Sequence, residues 1–263
     1  MFFANTIVIA SHRRSGMQWT IDALRNNSRD INDSYMSLEQ MEANHDAAVP
    51  LSKFRRQLLN MDGRVLISVR DLPAADSWKG MDERLFARAV LQHSPTIYVH
   101  RDGRDVMVSL YYYMQSFSET VRNQSFAQFL RSESALDGED SAYSRPGYWA
   151  YHVHSWLQKD RLLAVSYSEL ETNYEATVRK LAAFLQVNLN DCLRPLTTPG
   201  PQNSGPILDN VLGRLGLRLR RGALPDQARL GKSGDWRKLF DKRDRDFFAR
   251  EAGEAMRRLG YAR

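Results

Sequence analysis

Four short runs of β-branched and apolar residues punctuate the chain: Thr6 to Ser11 (T-I-V-I-A-S), Arg64 to Val69 (R-V-L-I-S-V), Pro95 to His100 (P-T-I-Y-V-H) and Arg161 to Ser166 (R-L-L-A-V-S). Near-continuous apolarity, rather than alternation with polar residues, belongs to strands buried on both faces. Stretches of helical period lie between them and predict helices over residues 15–26, 82–92, 102–116, 125–131, 147–158 and 171–186. Asp241 to Tyr261 is charged and amphipathic, with Phe247, Phe248, Ala252, Met256 and Leu259 as its buried stripe. Strand–helix alternation of this kind predicts an α/β fold with a central parallel sheet flanked by helices. Residues 27–62 read as a polar stretch, and Pro195 to Pro206 as a loop. Pro206 to Arg221, carrying Arg214, Arg218, Arg220 and Arg221, reads either as a lid or as a basic surface helix.

At 263 residues and 43% hydrophobic, the chain can bury one substantial core, so residues 1–263 are expected to form a single domain. A net charge of +6 suits an anionic ligand, nucleic acid or a membrane surface. The basic residues gather at turns instead of forming a stripe interleaved with aromatics, which argues against nucleic acid. Cys192 is the one cysteine, which excludes an internal disulfide and fits a reducing, cytoplasmic setting. Met1 to Ala10 lacks a basic leader region and reads as the first strand rather than a signal, and no stretch has the length of a membrane span. The six histidines and the lone cysteine show no metal-ligand spacing, so no metal is expected.

Three turns carry the chemistry. Ile7 to Trp19 (I-V-I-A-S-H-R-R-S-G-M-Q-W) is a strand, a basic turn and a helix start, in which free N–H groups of the helix point back at whatever occupies the turn. It lacks the Gly-Lys-Ser/Thr step of a Walker loop. Arg101-Asp102-Gly103-Arg104-Asp105 follows the third strand; Asp102 is placed to cap the next helix, and Ser109 lies two turns along it. In open α/β sheets ligands sit at the carboxyl ends of strands, where both segments fall. Arg229-Leu230-Gly231-Lys232-Ser233-Gly234-Asp235-Trp236 is a third basic, glycine-spaced loop.

With these motifs in hand, the chain resembles the sulfotransferases that use 3′-phosphoadenosine 5′-phosphosulfate (PAPS). Arg13-Arg14-Ser15-Gly16-Met17-Gln18-Trp19 stands where that family carries its 5′-phosphosulfate loop, P-K-S-G-T-T-W. Arg101 and Ser109 match its 3′-phosphate motif, and Arg229-Leu230-Gly231 with Gly234-Asp235-Trp236-Arg237 match its C-terminal R-K-G-x-x-G-D-W-K. Gly147-Tyr148-Trp149, His152-Val153, Trp156 and Val165 to Leu170 are softer matches in family order. The resemblance implies a P-loop-like architecture of the sulfotransferase and nucleotide-kinase type. It also implies in-line transfer of a sulfuryl group from PAPS to a hydroxyl or amine of a small-molecule or carbohydrate acceptor. Arg14 then takes the place of the family's lysine and, being unable to give up a proton, helps electrostatically only. Ser15, Gly16 and Met17 would offer backbone donors and Gln18 its side chain, with Arg13 adding charge. Trp19 and Tyr167 would stack on or edge the adenine, and Arg101, Ser109, Arg229, Leu230 and Gly231 would hold the 3′-phosphate.

The sequence departs from the family at the catalytic base. Where many members have K-T-H-x-x-P, this chain has Ser68-Val69-Arg70-Asp71-Leu72-Pro73, placing Arg70 in the histidine slot. Arginine is no base at neutral pH. Asp71 is the first candidate to replace it and His12 the second, with His45 a third histidine within reach; His152 and His154 read as structural. The family's K-x-x-x-T-V dimer motif is absent, which leaves the oligomeric state open. Two other readings remain: a PAPS-binding relative without transferase activity, and a P-loop kinase-like nucleotide enzyme.

Overall fold

The computed structural model describes residues 3, 5–41, 49–74, 80–133, 143–195 and 233–261. Five strands, β1 (Thr6–Ala10), β2 (Ile31–Ser37), β3 (Arg64–Val69), β4 (Thr96–His100) and β5 (Leu162–Ser166), form one parallel sheet in the order β2-β3-β1-β4-β5. The central strand β1 shows why its sequence never alternates. Val8 and Ala10 point into one core and Ile7 and Ile9 into the other, all four at 0% exposure. On the second face lie α1 (Met17–Asn27) and α9 (Tyr174–Leu185), supplying Ile21, Leu24, Leu181 and Leu185. The first face is covered by α2 (Leu51–Leu59), α3 (Met81–His93), α4 (Gly103–Gln115), the short α5 (Glu119–Arg122) and α6 (Phe126–Arg131), and α7 (Arg145–Trp156). The chain forms a single α/β domain with a central parallel sheet flanked by helices, as its sequence pattern predicts.

Strand β2 and helix α2 fall within the stretch read as merely polar. As an edge strand, β2 leaves Asp33 and Ser34 exposed and slips register between Ile31 and Tyr35, so little of it is apolar. Helix α2 buries only Phe54 and Leu58 among charged neighbours. A 3₁₀ turn (Leu38–Met41) follows β2. The helix expected over 171–186 is two helices. α8 (Tyr167–Thr172) starts directly from β5 through a capping box, in which Ser166 Oγ accepts from the Glu169 N–H at 3.0 Å and the Glu169 carboxylate accepts from the Ser166 N–H at 2.7 Å. The chain then breaks at Asn173 before α9.

The last helix, α10 (Lys242–Arg258), buries Phe248, Ala252, Ala255 and Met256; Phe247 and Leu259 flank this stripe, partly buried. Gly103 admits it at the first turn of α4, because a Cβ there would stand 2.8 Å from Phe248 and 2.9 Å from Trp149. Asp102 caps α4 as expected, accepting from the Arg104 N–H at 2.9 Å. Among the described residues no helix is long and apolar enough to cross a membrane.

Two buried histidines couple this fold to pH. Burial, partly offset by Glu169, lowers His100 to about 4, and burial followed by the neighbouring His12 holds His152 well below the usual histidine value. Unfolded chains take up these protons near pH 6.5 and the native fold only further down. Stability complete above about pH 6.5 is therefore lost as pH falls, and the share due to His100 levels off near 4. Thermal unfolding should show a falling Tm from about pH 7 to 5, with His100 contributing up to ~1.4 kcal/mol per pH unit. His100→Gln should flatten the slope, and an unchanged slope would contradict the assignment.

Candidate functional site

At the carboxyl edge of the sheet, β1 passes into the turn His12-Arg13-Arg14-Ser15-Gly16. The Ser11 N–H donates to the Val69 carbonyl at 3.1 Å, tying the start of this turn to the end of β3. Two left-handed residues shape it, Arg14 (φ 66°) and Gly16 (φ 103°). Such backbone costs a side-chain-bearing residue roughly 1–2 kcal/mol, so Arg14 is held there by its surroundings. Helix α1 opens without a side-chain cap and with no acidic residue in its first turn, which leaves its N–H groups facing the turn. The Ser15 hydroxyl is buried without a hydrogen-bond partner among the described residues. An unsatisfied buried hydroxyl beside an uncapped helix start and an arginine is chemistry suited to an oxyanion.

The second motif meets the first. Arg14 Nε donates to Ser109 Oγ at 3.0 Å, joining the turn after β1 to helix α4 after β4. The Arg14 guanidinium also lies over the Tyr113 ring at 4.9 Å, and that of Arg101 over the Tyr167 ring at 4.6 Å. Although Arg14 is exposed overall, crowding of its guanidinium by protein, and more weakly repulsion from Arg101, lower its pKa against an opposing pull from Tyr113. Tyr167 and Trp19 stack on each other, with centroids 4.9 Å apart and planes 23° off parallel. Arg13 is exposed, and Met17 turns its side chain into the core, so it can present only its N–H to the turn. The Gln18 side chain runs along α1, donating to Asp22 at 2.9 Å and accepting from Tyr35 at 3.1 Å.

Arg229, Leu230 and Gly231 lie outside the described residues, as does the segment 206–221. The end of that third motif is anchored nonetheless. Asp105, 1% exposed, accepts from the N–H groups of Gly234 at 2.7 Å and Trp236 at 3.0 Å, and Arg104 packs over the Trp236 ring at 4.0 Å. Burial raises the Asp105 pKa while these two hydrogen bonds oppose the rise. Asp105 is thus the clip that ties the C-terminal motif to the helix bearing Ser109. An acid in the first turn of α4 was visible in the sequence, but its partner more than a hundred residues away was not. A cavity of about 250 Å³ opens beside the clip, lined by Arg101, Ser168, Gly234, Trp236, Arg237 and Tyr261 among others.

The described residues that the sequence offered as a base lie around the end of β3. Asp71 is 8% exposed; its Oδ1 accepts from the Leu72 N–H at 2.7 Å and its carbonyl from Trp156 Nε1 at 3.0 Å. Arg70 is exposed, and its N–H donates to the carboxylate of Glu39, which also accepts from the Ser37 hydroxyl. Glu39 escaped the sequence reading because it lies in the polar stretch and only the pairing of β2 with β3 brings it here. His12 is buried, hydrogen-bonded through Nδ1 to the Arg13 carbonyl at 3.0 Å, with its ring edge-on to His152 at 5.4 Å. His45 lies outside the described residues. Among the described residues, no three or more His, Cys, Asp or Glu side chains gather as metal ligands would.

Comparison with known proteins places this geometry among relatives. The family model described as "Sulfotransferase domain" matches residues 4–260. Human sulfotransferase 2B1 is 28% identical over 183 residues, covering 66% of this chain and 48% of that protein, so the aligned part spans about half the relative's length. The crystal structure of mouse sulfotransferase SULT7A1 complexed with PAP superposes with a TM-score of 0.59 at 19% identity, covering 97% of this chain and 85% of that one. Retinol dehydratase in complex with androsterone and PAP superposes at 0.57 and 15% identity, covering 96% and 81%. These two likenesses show the fold.

Gly16 tests the shape of the turn without any ligand. A Cβ there would stand 2.7 Å from the Tyr167 ring, at a φ of 103° that side-chain-bearing residues rarely adopt. Gly16→Ala should cost about 1–3 kcal/mol in urea unfolding. A loss below about 0.5 kcal/mol would mean the turn is not held as described.

Proposed function

The chain belongs to the sulfotransferase-domain family, and on that premise we propose that it is a PAPS-dependent sulfotransferase. It transfers a sulfuryl group to a hydroxyl, or an amine, of a small-molecule or carbohydrate acceptor. The observation that carries this reading is the junction of the two anion motifs by Arg14 and Ser109, next to the unpartnered Ser15 hydroxyl. These residues fit a ligand with one anionic group at the turn and another at the end of β4. The nucleotide supplies an activated sulfuryl group at the first of these positions.

The chain's own residues bind, align and stabilise charge. Ser15, Gly16 and Met17 offer main-chain N–H groups, and the Ser15 hydroxyl adds a donor. Arg14 would stand near the bridging oxygen of the nucleotide, where a permanent charge would favour its departure without proton transfer. Arg101 and Ser109 would hold the 3′-phosphate, and the family match assigns Arg229, Leu230 and Gly231 to the same group. Trp19 and Tyr167 supply aromatic faces for the base. Asp71 takes the proton of the attacking hydroxyl; Glu39, on the backbone of Arg70, is the carboxylate the structure adds as an alternative. His12 is the remaining candidate, with Nε2 as its basic nitrogen because Nδ1–H serves the Arg13 carbonyl. Tyr113 and Phe117, packed edge to face at 5.1 Å beside Arg14, suit an acceptor with an apolar or aromatic body. The exposed thiol of Cys192 suits a cytoplasmic setting.

Calorimetric titration with 3′-phosphoadenosine 5′-phosphate, and with ATP for comparison, tests this directly without added metal. Micromolar binding of the bisphosphate and little of ATP is expected, and no binding of the bisphosphate would sink the reading. Arg14→Ala should lower kcat by about 10²–10³-fold while weakening nucleotide affinity far less. Equal losses in both would make Arg14 a binding residue only.

A further inference from the structure

Beneath the site, helix α7 reaches back to the exit of β3 with two side chains one turn apart. His152 Nε2 bonds the Arg70 carbonyl at 3.1 Å, and Trp156 Nε1 donates to the next carbonyl, that of Asp71, at 3.0 Å. A carbonyl oxygen only accepts, so the hydrogen is on Nε2 of His152. In a neutral imidazole Nδ1 then carries the lone pair, and the Tyr98 hydroxyl on β4, 3.0 Å away, must be its donor. The ring is entirely buried. Its polar and titratable neighbours come from every side: His12 from the turn after β1, Tyr98 from β4, Tyr148 from its own helix and the two carbonyls from β3. None of these is an anion that would favour a second proton on the ring.

The segment held in this way takes further bonds from side chains. After Val69 it leaves the sheet; its Arg70 N–H goes to Glu39, and the Asp71 carboxylate turns back onto the Leu72 N–H. Its course is set by side chains instead of a strand ladder.

We propose that His152 is a positioning residue for the transfer step. In one neutral tautomer, locked by Tyr98, it fixes with Trp156 the backbone from which Arg70 and Asp71 face the acceptor. The proposal rests on the sulfuryl-transfer reading. A displacement of about 1 Å at a reacting group costs on the order of 10²-fold in rate, so the effect belongs in kcat and leaves the nucleotide pocket alone.

The test uses full-length protein in three variants. His152→Phe keeps a ring but no polar atom. His152→Gln keeps a donor for the Arg70 carbonyl and an acceptor for Tyr98. Tyr98→Phe removes only the lock. Ring tautomers are read by ¹⁵N-histidine NMR, nucleotide affinity by calorimetry with 3′-phosphoadenosine 5′-phosphate, and turnover with labelled PAPS and 2-naphthol, with release of sulfate scored alongside transfer. Wild-type His152 should show the neutral Nε2–H form without titrating between about pH 5.5 and 8, and Tyr98→Phe should give a tautomer mixture. His152→Phe should lose about 10²-fold in kcat with Kd within about twofold, and His152→Gln should restore most of the rate. An Nδ1–H or protonated ring in wild type, no rescue by His152→Gln, or parallel losses in kcat and Kd would each overturn the proposal while leaving the sulfotransferase reading standing. A wild type that fails to bind the bisphosphate would remove that reading, and this one with it.

Discussion

A single hydrogen bond, from Arg14 Nε to Ser109 Oγ, joins the turn after β1 to helix α4 across 95 residues of sequence, and the rest of the site depends on it. Arg14 can reach Ser109 only because β1 and β4 are neighbours running in parallel, so that both their following turns emerge on one edge. Parallel neighbours require crossovers over the faces of the sheet, and those crossovers bury β1 on both sides. The same topology that makes β1 wholly apolar thus brings cationic groups to its end. Loss of water around the Arg14 guanidinium, with a weaker push from Arg101, lowers its pKa, and a bound anion would relieve both.

Around this bond the site is assembled from supports that lie outside any recognisable motif. Asp105 holds the N–H groups of Gly234 and Trp236, so the C-terminal motif is docked on the same helix that carries Ser109. Trp156 and His152 hold the exit of β3. The cradle therefore draws on β1, β3, β4, α4, α7 and the chain just before α10, which is why its residues are scattered over almost the whole sequence.

What the sequence disclosed follows from the same physics. Strands β1, β3 and β4 were legible because burial on two faces leaves an unbroken apolar run, β5 because it keeps an apolar run although it lies at an edge and is only half-buried at its start, and helix α4 because Asp102 caps it. The basic, glycine-bearing turns were legible because their glycines and arginines are local. Strand β2 was hidden by its place at the edge, where Asn32 to Ser34 face solvent, and with it went Glu39. Asp105 was visible as a residue but silent as to role, and His152 read as structural without its partners, since each acts on backbone groups distant in sequence. The matches at Arg229, Leu230 and Gly231 remain readings of the sequence.

The stacked pair of Trp19 and Tyr167 has a consequence for selectivity. Rings in face-to-face contact at 4.9 Å leave no slot between them for a third. A purine arriving there either adds to the outside of the stack or exchanges one aromatic contact for another, so its net gain is small. Discrimination among nucleotides then passes from the base to the two anionic ends of the ligand. A nucleoside without phosphates would be a poor guest, and the protein would read its cofactor chiefly by the distance between two charges.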